Sequence, residues 1–373
     1  MHEQDGDNAA RQIPAPRAGR AIVLLGVKRA DNAQVRALAQ RLGLVTQEIA
    51  LQFNPLHLLP NWWLPTAPCT LTRANRATLA AAPPADLILA IGKRSYRAAL
   101  ALKRASGGRA CWVHLGRPWG ALAPIDLVIT TAQYGLPTRP NILCLPAPIA
   151  TIDLNPTPAT SARPLLAVLI GGNSSTHSLS AARGAVLLRA AQRQARTLNA
   201  DLVLVTSRRT PAAVQRLVAA ARSPTIAVQA WPDPQADYRG VLRRASAFIV
   251  TTDSASMLTE TLLTGKPVFA FAAAARRSHR LLSAAAHLLA LVLGPRCWSA
   301  LCDLCLQRGW LTPVRDMDAL VTALRPFGLH DLEDDLTAAR SAPTDVLPVG
   351  LELAAAAVER LLERHGARPR GPC

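Results

Sequence analysis

Three short polar segments in the second half of the chain each follow a strongly apolar run. They are GGNSSTHS (171–178), SRRTP (207–211) and TTDSASM (251–257). Each places small or hydroxyl side chains where a predicted strand ends and a predicted helix begins. Free backbone N–H groups at a helix start and the helix dipole both attract anions such as phosphate. The three segments therefore predict a phosphate-binding region.

The candidate phosphate ligands are small residues and two arginines from these three segments. Gly171 and Gly172 let the backbone approach a ligand closely, and Arg208 with Arg209 offers a guanidinium fork for a diphosphate. The other candidates are Asn173, Ser174, Ser207, Asp253, Ser254 and Ser256. Structural interpretations stay open, because the glycines suit a tight turn, the end of SRRTP suits a helix cap and the arginines suit a solvated surface.

Glu260 is the acidic residue of the helix that follows the third segment. A capping box would require Ser or Thr three residues earlier, but position 257 is methionine. Glu260 lies one turn after Ser256 on the same face of an otherwise apolar helix. A carboxylate there suits a ligand with a vicinal diol, such as a ribose. A plain exposed glutamate is the alternative.

Short apolar runs alternate with amphipathic stretches along the whole chain, which is typical of βαβ units and parallel sheets. The predicted strands of the first half are residues 21–26, 44–50, 86–91, 110–115 and 126–131, with helices at 33–42 and 95–103. The second half has predicted strands at 165–170, 201–206, 226–229 and 247–250, and helices at 179–198, 211–221, 238–245 and 349–365. The predicted fold class is α/β with two Rossmann-like domains.

A proline-rich stretch, LNPTPATSARP, separates the two halves and predicts a linker at 154–164. The predicted domains are 20–153, Rossmann-like, and 165–345, Rossmann-like and nucleotide-binding. They are flanked by a disordered leader at 1–19 and by a helix with its tail at 346–373. Ligands of doubly wound sheets bind beyond the carboxyl ends of the strands, so the site is expected in the loops after the strands.

The composition is that of a globular protein, because half of the 373 residues are hydrophobic and 18% are charged. The net charge of +18 is spread singly along the chain, and aromatic residues are only 4%, so no nucleic-acid partner is predicted. Weak attraction to anionic lipid headgroups is the expected by-product. The longest apolar stretch, 284–293, is too short to span a bilayer. We predict a cytoplasmic protein, peripheral at the inner membrane face.

Seven cysteines at irregular spacing argue against a disulfide framework. Cys302 and Cys305 have the spacing of a metal-binding pair, but no second pair follows. Buried ordinary thiols and no metal site are therefore predicted.

The blocks VLIGGNSS, TSRRTP and TTDSASMLTETLLTGKPVFAF resemble those of the mitochondrial-fission protein family. Its plant members act in mitochondrial division. In the first half, ADLILAIGKRS, VHLGRP, DLVITTAQYGLP and PNIL also resemble this family, so the resemblance covers residues 21–324. Two blocks depart from the family pattern: Ala33 separates Asn32 from Gln34, and the usual Gly-Arg-Arg is Gly-Lys-Arg at 92–94.

That family is similar to glycosyltransferases of the GT-B fold, in which two Rossmann-like domains face across a cleft that holds a nucleotide-sugar. The resemblance implies that Ser254 and Ser256 contact the diphosphate and that Glu260 contacts the ribose. It implies a metal-independent glycosyltransferase whose substrate is a nucleotide-sugar and which needs no cofactor. The alternative is a non-catalytic adaptor in membrane or organelle-division-type processes.

A transferase of this kind also requires a base from the first half that deprotonates the acceptor. Asp31 and His114 lie near predicted strand ends and are the two candidates. His114 stands between Val113 and Leu115, so a histidine of the core is the alternative for that residue.

Overall fold

The structure is a computed structural model that describes residues 17–59, 63–64, 67–150, 163–311, 314–332 and 349–366. These residues form two compact units and two six-stranded parallel sheets. The predicted α/β class with two Rossmann-like halves is therefore confirmed. The predicted leader and the linker lie mostly outside the described residues; the first strand begins at Arg17, and Arg163 and Pro164 precede the first strand of the second sheet.

The first sheet has the strand order β2-β1-β3-β4-β5-β6. Its strands are β1 (Arg17–Leu25), β2 (Leu44–Ala50), β3 (Leu87–Ile91), β4 (Cys111–Leu115), β5 (Leu127–Thr131) and β6 (Ile142–Leu145). The helices are α1 (Arg29–Leu42), α2 (Arg73–Ala80) and α3 (Tyr96–Ala105). Strands β3 and β4 are buried along their whole length, as expected for central strands of a parallel sheet with both faces covered.

Sequence analysis did not predict α2 or β6. Helix α2, RANRATLA, buries only Asn75 and Leu79, so it lacks the apolar periodicity that marks a helix in a sequence. Strand β6 is four residues long and follows the Pro-Asn turn signal of PNIL. Both elements are too short or too polar to stand out from a loop.

The second sheet has the strand order β10-β9-β7-β11-β12-β14. Its strands are β7 (Leu165–Ile170), β9 (Asp201–Thr206), β10 (Ile226–Gln229), β11 (Ala247–Thr251), β12 (Val268–Phe271) and β14 (Leu329–Asp331). Helices α4 (Ala181–Thr197), α5 (Ala212–Ala220), α6 (Tyr238–Arg244) and α7 (Ala255–Leu262) connect them. The chain runs outward from β7 in one direction and then in the other, so β7 and β11 flank the switch point where doubly wound sheets bind ligands.

Apolar side chains are buried on both faces of the second sheet. Phe248 belongs to one core cluster and Phe269 to the other, and both are completely buried. Lys266 donates from Nζ to the carbonyls of Leu242 and Arg243 at 3.3 and 2.6 Å. These carbonyls belong to the last turn of α6, where a cation is favourable.

The remaining elements are β8 (His177–Ser178), β13 (Ala274–Ala275), α8 (Arg277–Leu293), α9 (Pro295–Arg308), α10 (Met317–Leu324) and α11 (Val349–Gly366). The prediction of buried thiols is wrong here, because Cys297 is exposed and Cys302 and Cys305 are only half-buried on α9. No single helix in the described ranges has the length and apolarity needed to cross a membrane, although the sharply bent pair 284–293 and 296–308 meets that test jointly.

Candidate functional site

Asp253 joins the three predicted polar loops at the carboxyl edge of the second sheet. Its side chain is completely buried and accepts hydrogen bonds from the Gly172 N–H at 3.0 Å and the Thr251 hydroxyl at 2.7 Å. Arg209 forms an ion pair with it, Nη2 to Oδ2, at 2.9 Å. A buried carboxylate requires such partners. Asp253 therefore bonds within the protein, and its role in phosphate binding stays a prediction.

Two hydroxyls strengthen the contact between the first two loops. Thr210 Oγ1 lies 2.9 Å from the carbonyl of Ile170 and 2.5 Å from that of Gly171. Ser207 donates its hydroxyl to the same Gly171 carbonyl at 2.8 Å. Thr210 is therefore not a helix cap; the cap position of α5 is Pro211, which has no capping side chain. Both hydroxyls act within the protein.

The two glycines are required by close approach of one loop to another. A Cβ at Gly171 would lie 2.3 Å from Oδ1 of Asp253, and a Cβ at Gly172 would lie 2.0 Å from the backbone oxygen of Arg209. The N–H of Asn173 donates to that same oxygen at 3.0 Å. These contacts favour the structural interpretation of the glycine pair.

Asn173 and Ser174 also bond within their own loop. Asn173 Oδ1 accepts from the N–H of Leu179 at 3.2 Å, and Ser174 Oγ accepts from the N–H of His177 at 3.0 Å. Both side chains therefore shape the turn that leads into α4. Their role as phosphate ligands stays a prediction.

Three of the predicted ligands keep free polar groups at this edge. Arg208 is exposed and has no hydrogen-bond or ion-pair partner among the described residues. Ser254 is 8% exposed and occupies the cap position of α7 without making a capping hydrogen bond. Ser256 is half-buried in the first turn of the same helix. The start of α7 therefore presents unsatisfied donors beside a free cation.

Glu260 shares the partly exposed face of α7 with Ser256, whereas Ala255, Leu258 and Leu262 are buried. Its Oε2 accepts a hydrogen bond of 2.6 Å from the hydroxyl of Tyr238. Burial raises the pKa of Glu260, and the Tyr238 hydrogen bond and the charge of Arg239 offset part of that rise. Glu260 is therefore not the plain exposed glutamate of the alternative interpretation.

Tyr238 and Trp231 were not among the residues predicted for the site. The carboxylate of Asp237 caps α6, accepting from the N–H of Gly240 at 2.7 Å, and so places Tyr238 at the first helical position. Trp231 follows the end of β10, is exposed, and donates its backbone N–H to the Thr206 hydroxyl at 2.8 Å. An aromatic residue directly after a predicted strand was the signal available for Trp231.

The two candidate bases of the first half lie in different environments. His114 lies on β4, is completely buried, and neither ring nitrogen meets a hydrogen-bond partner within the described chain. Burial lowers its pKa to about 3, and the nearby backbone of Gly92 offsets only part of this. This burial favours the core alternative for His114. Asp31 is partly exposed in the first turn of α1, 3.8 Å from the Nζ of Lys28, and remains a candidate.

Two Rossmann-like parallel sheets, with polar loops at the strand-end edge of the second, define an α/β protein with two Rossmann-like domains. The family model described as Mitochondrial fission ELM1 matches residues 31–293. The chain therefore belongs to this family, as the sequence blocks predicted.

Several solved structures are similar in fold. MurG of Acinetobacter baumannii is 14% identical, with 94% of this chain and 93% of that chain covered and a TM-score of 0.41. The glycosyltransferase SnogD of Streptomyces nogalater is 13% identical, with 94% and 96% covered and a TM-score of 0.45. The UDP-GlcNAc 2-epimerase of Methanocaldococcus jannaschii, solved with UDP-GlcNAc and UDP, is 9% identical, with 91% and 99% covered and a TM-score of 0.44. No curated protein matches the chain.

Replacing Gly172 by alanine should destabilise the second sheet strongly. The new methyl group would overlap a backbone oxygen, which cannot move aside as a flexible side chain would. We expect a loss of more than about 2 kcal/mol in the free energy of unfolding. Gly108→Ala is the control, because Gly108 has a φ of +80° but nothing within 4 Å of the added carbon. It should lose only about 1–2 kcal/mol. Equal losses by denaturant titration would show that backbone strain, not the loop contact, explains the Gly172 result.

The two neighbouring arginines of the loop after β9 should differ in their contribution to stability, because Arg209 is paired with Asp253 and Arg208 is exposed. Arg209→Ala leaves the buried carboxylate of Asp253 without its cation, so we expect the free energy of unfolding to fall by about 1–3 kcal/mol. Arg208→Ala removes the same charge from an exposed, unpaired side chain and should change stability by less than about 0.5 kcal/mol. Chemical denaturation of both variants measures this difference, and similar values for the two would contradict the anchoring role of Arg209.

Proposed function

We propose that the carboxyl edge of the second sheet binds the nucleoside diphosphate part of a nucleotide-sugar, and that the chain is a metal-independent glycosyltransferase. The observation that carries this proposal is the partly exposed face at the start of α7. Ser256 and Glu260 share that face, Ser254 is the cap residue of the helix, and the exposed Arg208 follows β9 at the same edge of the sheet. N–H groups at the helix start, a cation at the same edge and a carboxylate one turn into the helix suit a diphosphate next to a ribose.

The hydrogen bond between Tyr238 and Glu260 supports the ribose assignment. Tyr238 occupies Oε2 of the carboxylate, which leaves Oε1 without a hydrogen bond among the described residues. The two hydroxyls of a vicinal diol can donate hydrogen bonds, and an oriented carboxylate oxygen can accept them. The tyrosine holds the carboxylate in one orientation, so less freedom is lost when the sugar binds.

The same edge offers a surface for a base. The indole of Trp231 is exposed beyond the end of β10, on the side of the sheet away from β12. Bases of any identity stack on such rings, so Trp231 supports nucleotide binding without selecting one base.

Glycosyl transfer places negative charge on the diphosphate as it leaves the sugar. Arg208 and the N–H groups at the start of α7 are the charges and dipoles of this edge that would stabilise it, with no metal required. The general base for the acceptor hydroxyl is proposed to be Asp31, in the first turn of α1.

Glu260→Gln tests the proposal, because it keeps the shape of the side chain and removes its charge. A thermal-shift screen against nucleoside diphosphates and their sugars first identifies a nucleotide that binds. Affinity for it should then fall about ten- to a hundredfold in the variant, since charge-assisted hydrogen bonds contribute roughly 1.5–3 kcal/mol. The melting temperature without ligand should stay unchanged or rise slightly, because a carboxylate that burial disfavours has become neutral.

Three controls accompany this measurement. The 2′,3′-dideoxy form of the nucleotide should bind both proteins alike, and Glu363→Gln, on the exposed end of α11, should leave affinity unchanged. In the unmutated protein, affinity should decline as the pH falls through the raised pKa of Glu260, and Glu260→Gln should lack this decline. Equal losses with the diol and dideoxy nucleotides would mean that Glu260 acts through the fold, and no nucleotide binding at all would refute the proposal.

A second function, a non-catalytic adaptor at an anionic membrane surface, is favoured by the surface of α8 and α9. Five apolar side chains near the end of α8 are exposed, and Leu291 is 80% exposed; the five are Leu288, Leu289, Leu291, Val292 and Leu293. The segment 276–315 carries six arginines and one carboxylate, Asp303. At the end of α9 the guanidinium of Arg308 lies 5.7 Å from the centre of the exposed Trp310 ring. Apolar helices with arginine and tryptophan at their borders lie in the headgroup region of bilayers.

Vesicle sedimentation tests the adaptor. The protein should pellet with phosphatidylcholine vesicles that contain phosphatidylglycerol, less with pure phosphatidylcholine, and less in high salt. Replacing both Leu291 and Val292 by glutamine should at least halve the bound fraction. Leu58 is also exposed but lies outside α8, so replacing it by glutamine should leave the bound fraction unchanged. An unchanged bound fraction in the α8 variant would refute membrane docking by this surface. Membrane docking would also be refuted if the protein does not bind vesicles but self-associates, and the α8 variant loses that self-association.

A further inference from the structure

Four cationic side chains gather at the carboxyl edge of the first sheet. Lys28 follows β1, Lys93 and Arg94 follow β3, and Arg117 follows β4. These three strands are neighbours in a parallel sheet, so their carboxyl ends meet. The pKa of Lys93 is lowered first by burial and then by the positive charges of Arg117, Arg94 and Lys28, in that order. The loops therefore bring the four charges within electrostatic reach of one another.

The cluster is strongly one-signed. Asp31 is the carboxylate beside it, 3.8 Å from the Nζ of Lys28. Lys93 and Arg94 are both exposed, and within the described ranges neither forms an ion pair. Some other cations of this half are paired with acids, as in the Arg36–Glu48 pair at 2.7 Å. Four like charges beside a single carboxylate raise the free energy of the unliganded protein, and an anion relieves that repulsion.

The turn that carries Lys93 and Arg94 is fixed by the fold. Gly92 has a φ of +75°, and its N–H donates to the carbonyl of Leu115 at 3.1 Å. Ser95 is buried and its hydroxyl lies 2.9 Å from the carbonyl of Ile91 and 3.0 Å from that of Gly92. The two cations are therefore presented on a rigid turn, an arrangement that reduces the loss of freedom on binding.

An aromatic ring positions the Lys93 ammonium. Its Nζ lies 4.7 Å from the centre of the Trp119 ring, a distance at which the ring attracts a cation. The ring holds the charge without neutralising it, so Lys93 keeps its donors for a ligand. Helix α3 begins two residues after Arg94, and its cap residue Ser95 makes no capping hydrogen bond. The first N–H groups of α3 therefore also attract an anion at this edge.

We propose that this edge of the first sheet is a binding site for a compact group with two or more negative charges, a phosphate or diphosphate ester. Lys93 and Arg94 are its principal ligands, with Lys28 and Arg117 beside them. The identification of this group with the acceptor of a glycosyl transfer rests on the proposed function, whereas the anion site does not.

Titration calorimetry with inorganic pyrophosphate tests the site, with saturating UDP present so that the second sheet is blocked. Replacing Lys93 and Arg94 together by glutamine should weaken pyrophosphate binding at least tenfold. Both side chains are exposed and their removal relieves like-charge repulsion, so the melting temperature should stay the same or rise slightly. The matched control replaces Arg189 and Arg193, exposed on α4, by glutamine; it removes the same charge and should weaken binding less than twofold.

Two sources of such a group are distinguished by a second titration with dihexanoyl phosphatidic acid below its micelle concentration. Binding that is tighter than that of pyrophosphate and lost in the same variant supports the site and assigns it to a lipid headgroup. Tighter pyrophosphate binding supports the site for a free or soluble diphosphate. Absence of binding by the unmutated protein, or equal losses in the variant and its α4 control, would overturn the proposal. If UDP fails to bind but pyrophosphate binding still depends on Lys93 and Arg94, the proposed nucleotide function fails and the anion site stands.

Discussion

A single buried carboxylate organises the second sheet's functional edge. Asp253 lies at zero exposure, where an unpaired charge would cost several kcal/mol. The loops after β7 and β9 and the last residue of β11 each supply one partner, namely the Gly172 N–H, the Arg209 guanidinium and the Thr251 hydroxyl. Any displacement of one loop would leave the carboxylate unsatisfied, so the three loops keep a common geometry. The free groups of the site are positioned by this requirement.

The arrangement divides the loop residues into an inner and an outer set. Arg209 and Ser207 bond to other loops, whereas Arg208 and Ser256 keep groups that face solvent. Two cations that are adjacent in sequence therefore have different roles. Arg209 compensates an internal charge, and Arg208 is available to a ligand. The first sheet shows a contrasting arrangement, because neither Lys93 nor Arg94 at its edge forms an ion pair with any residue that the structure describes.

The sequence predicted the fold class, the family and the strand-end position of the polar loops, because strand and helix alternation and Gly-Gly, Ser and Thr spacing are local features. It did not predict which polar groups would bond to one another. The pairing of Arg209 with Asp253 joins residues 44 positions apart in the chain, and the Tyr238–Glu260 bond joins two helices. For His114, the neighbouring apolar residues indicated a core histidine. They did not indicate that its ring nitrogens meet no hydrogen-bond partner among the described residues.

The tight fit of Gly171 and Gly172 against the neighbouring loops also limits how this edge can diversify. No side chain at these two positions fits the same backbone, so new ligand contacts cannot arise there without rebuilding three loops. Variation is tolerated instead at positions whose side chains leave the inner network intact, such as Arg208 and Ser256. A library built to change ligand preference would therefore randomise those outer positions and hold the glycines constant.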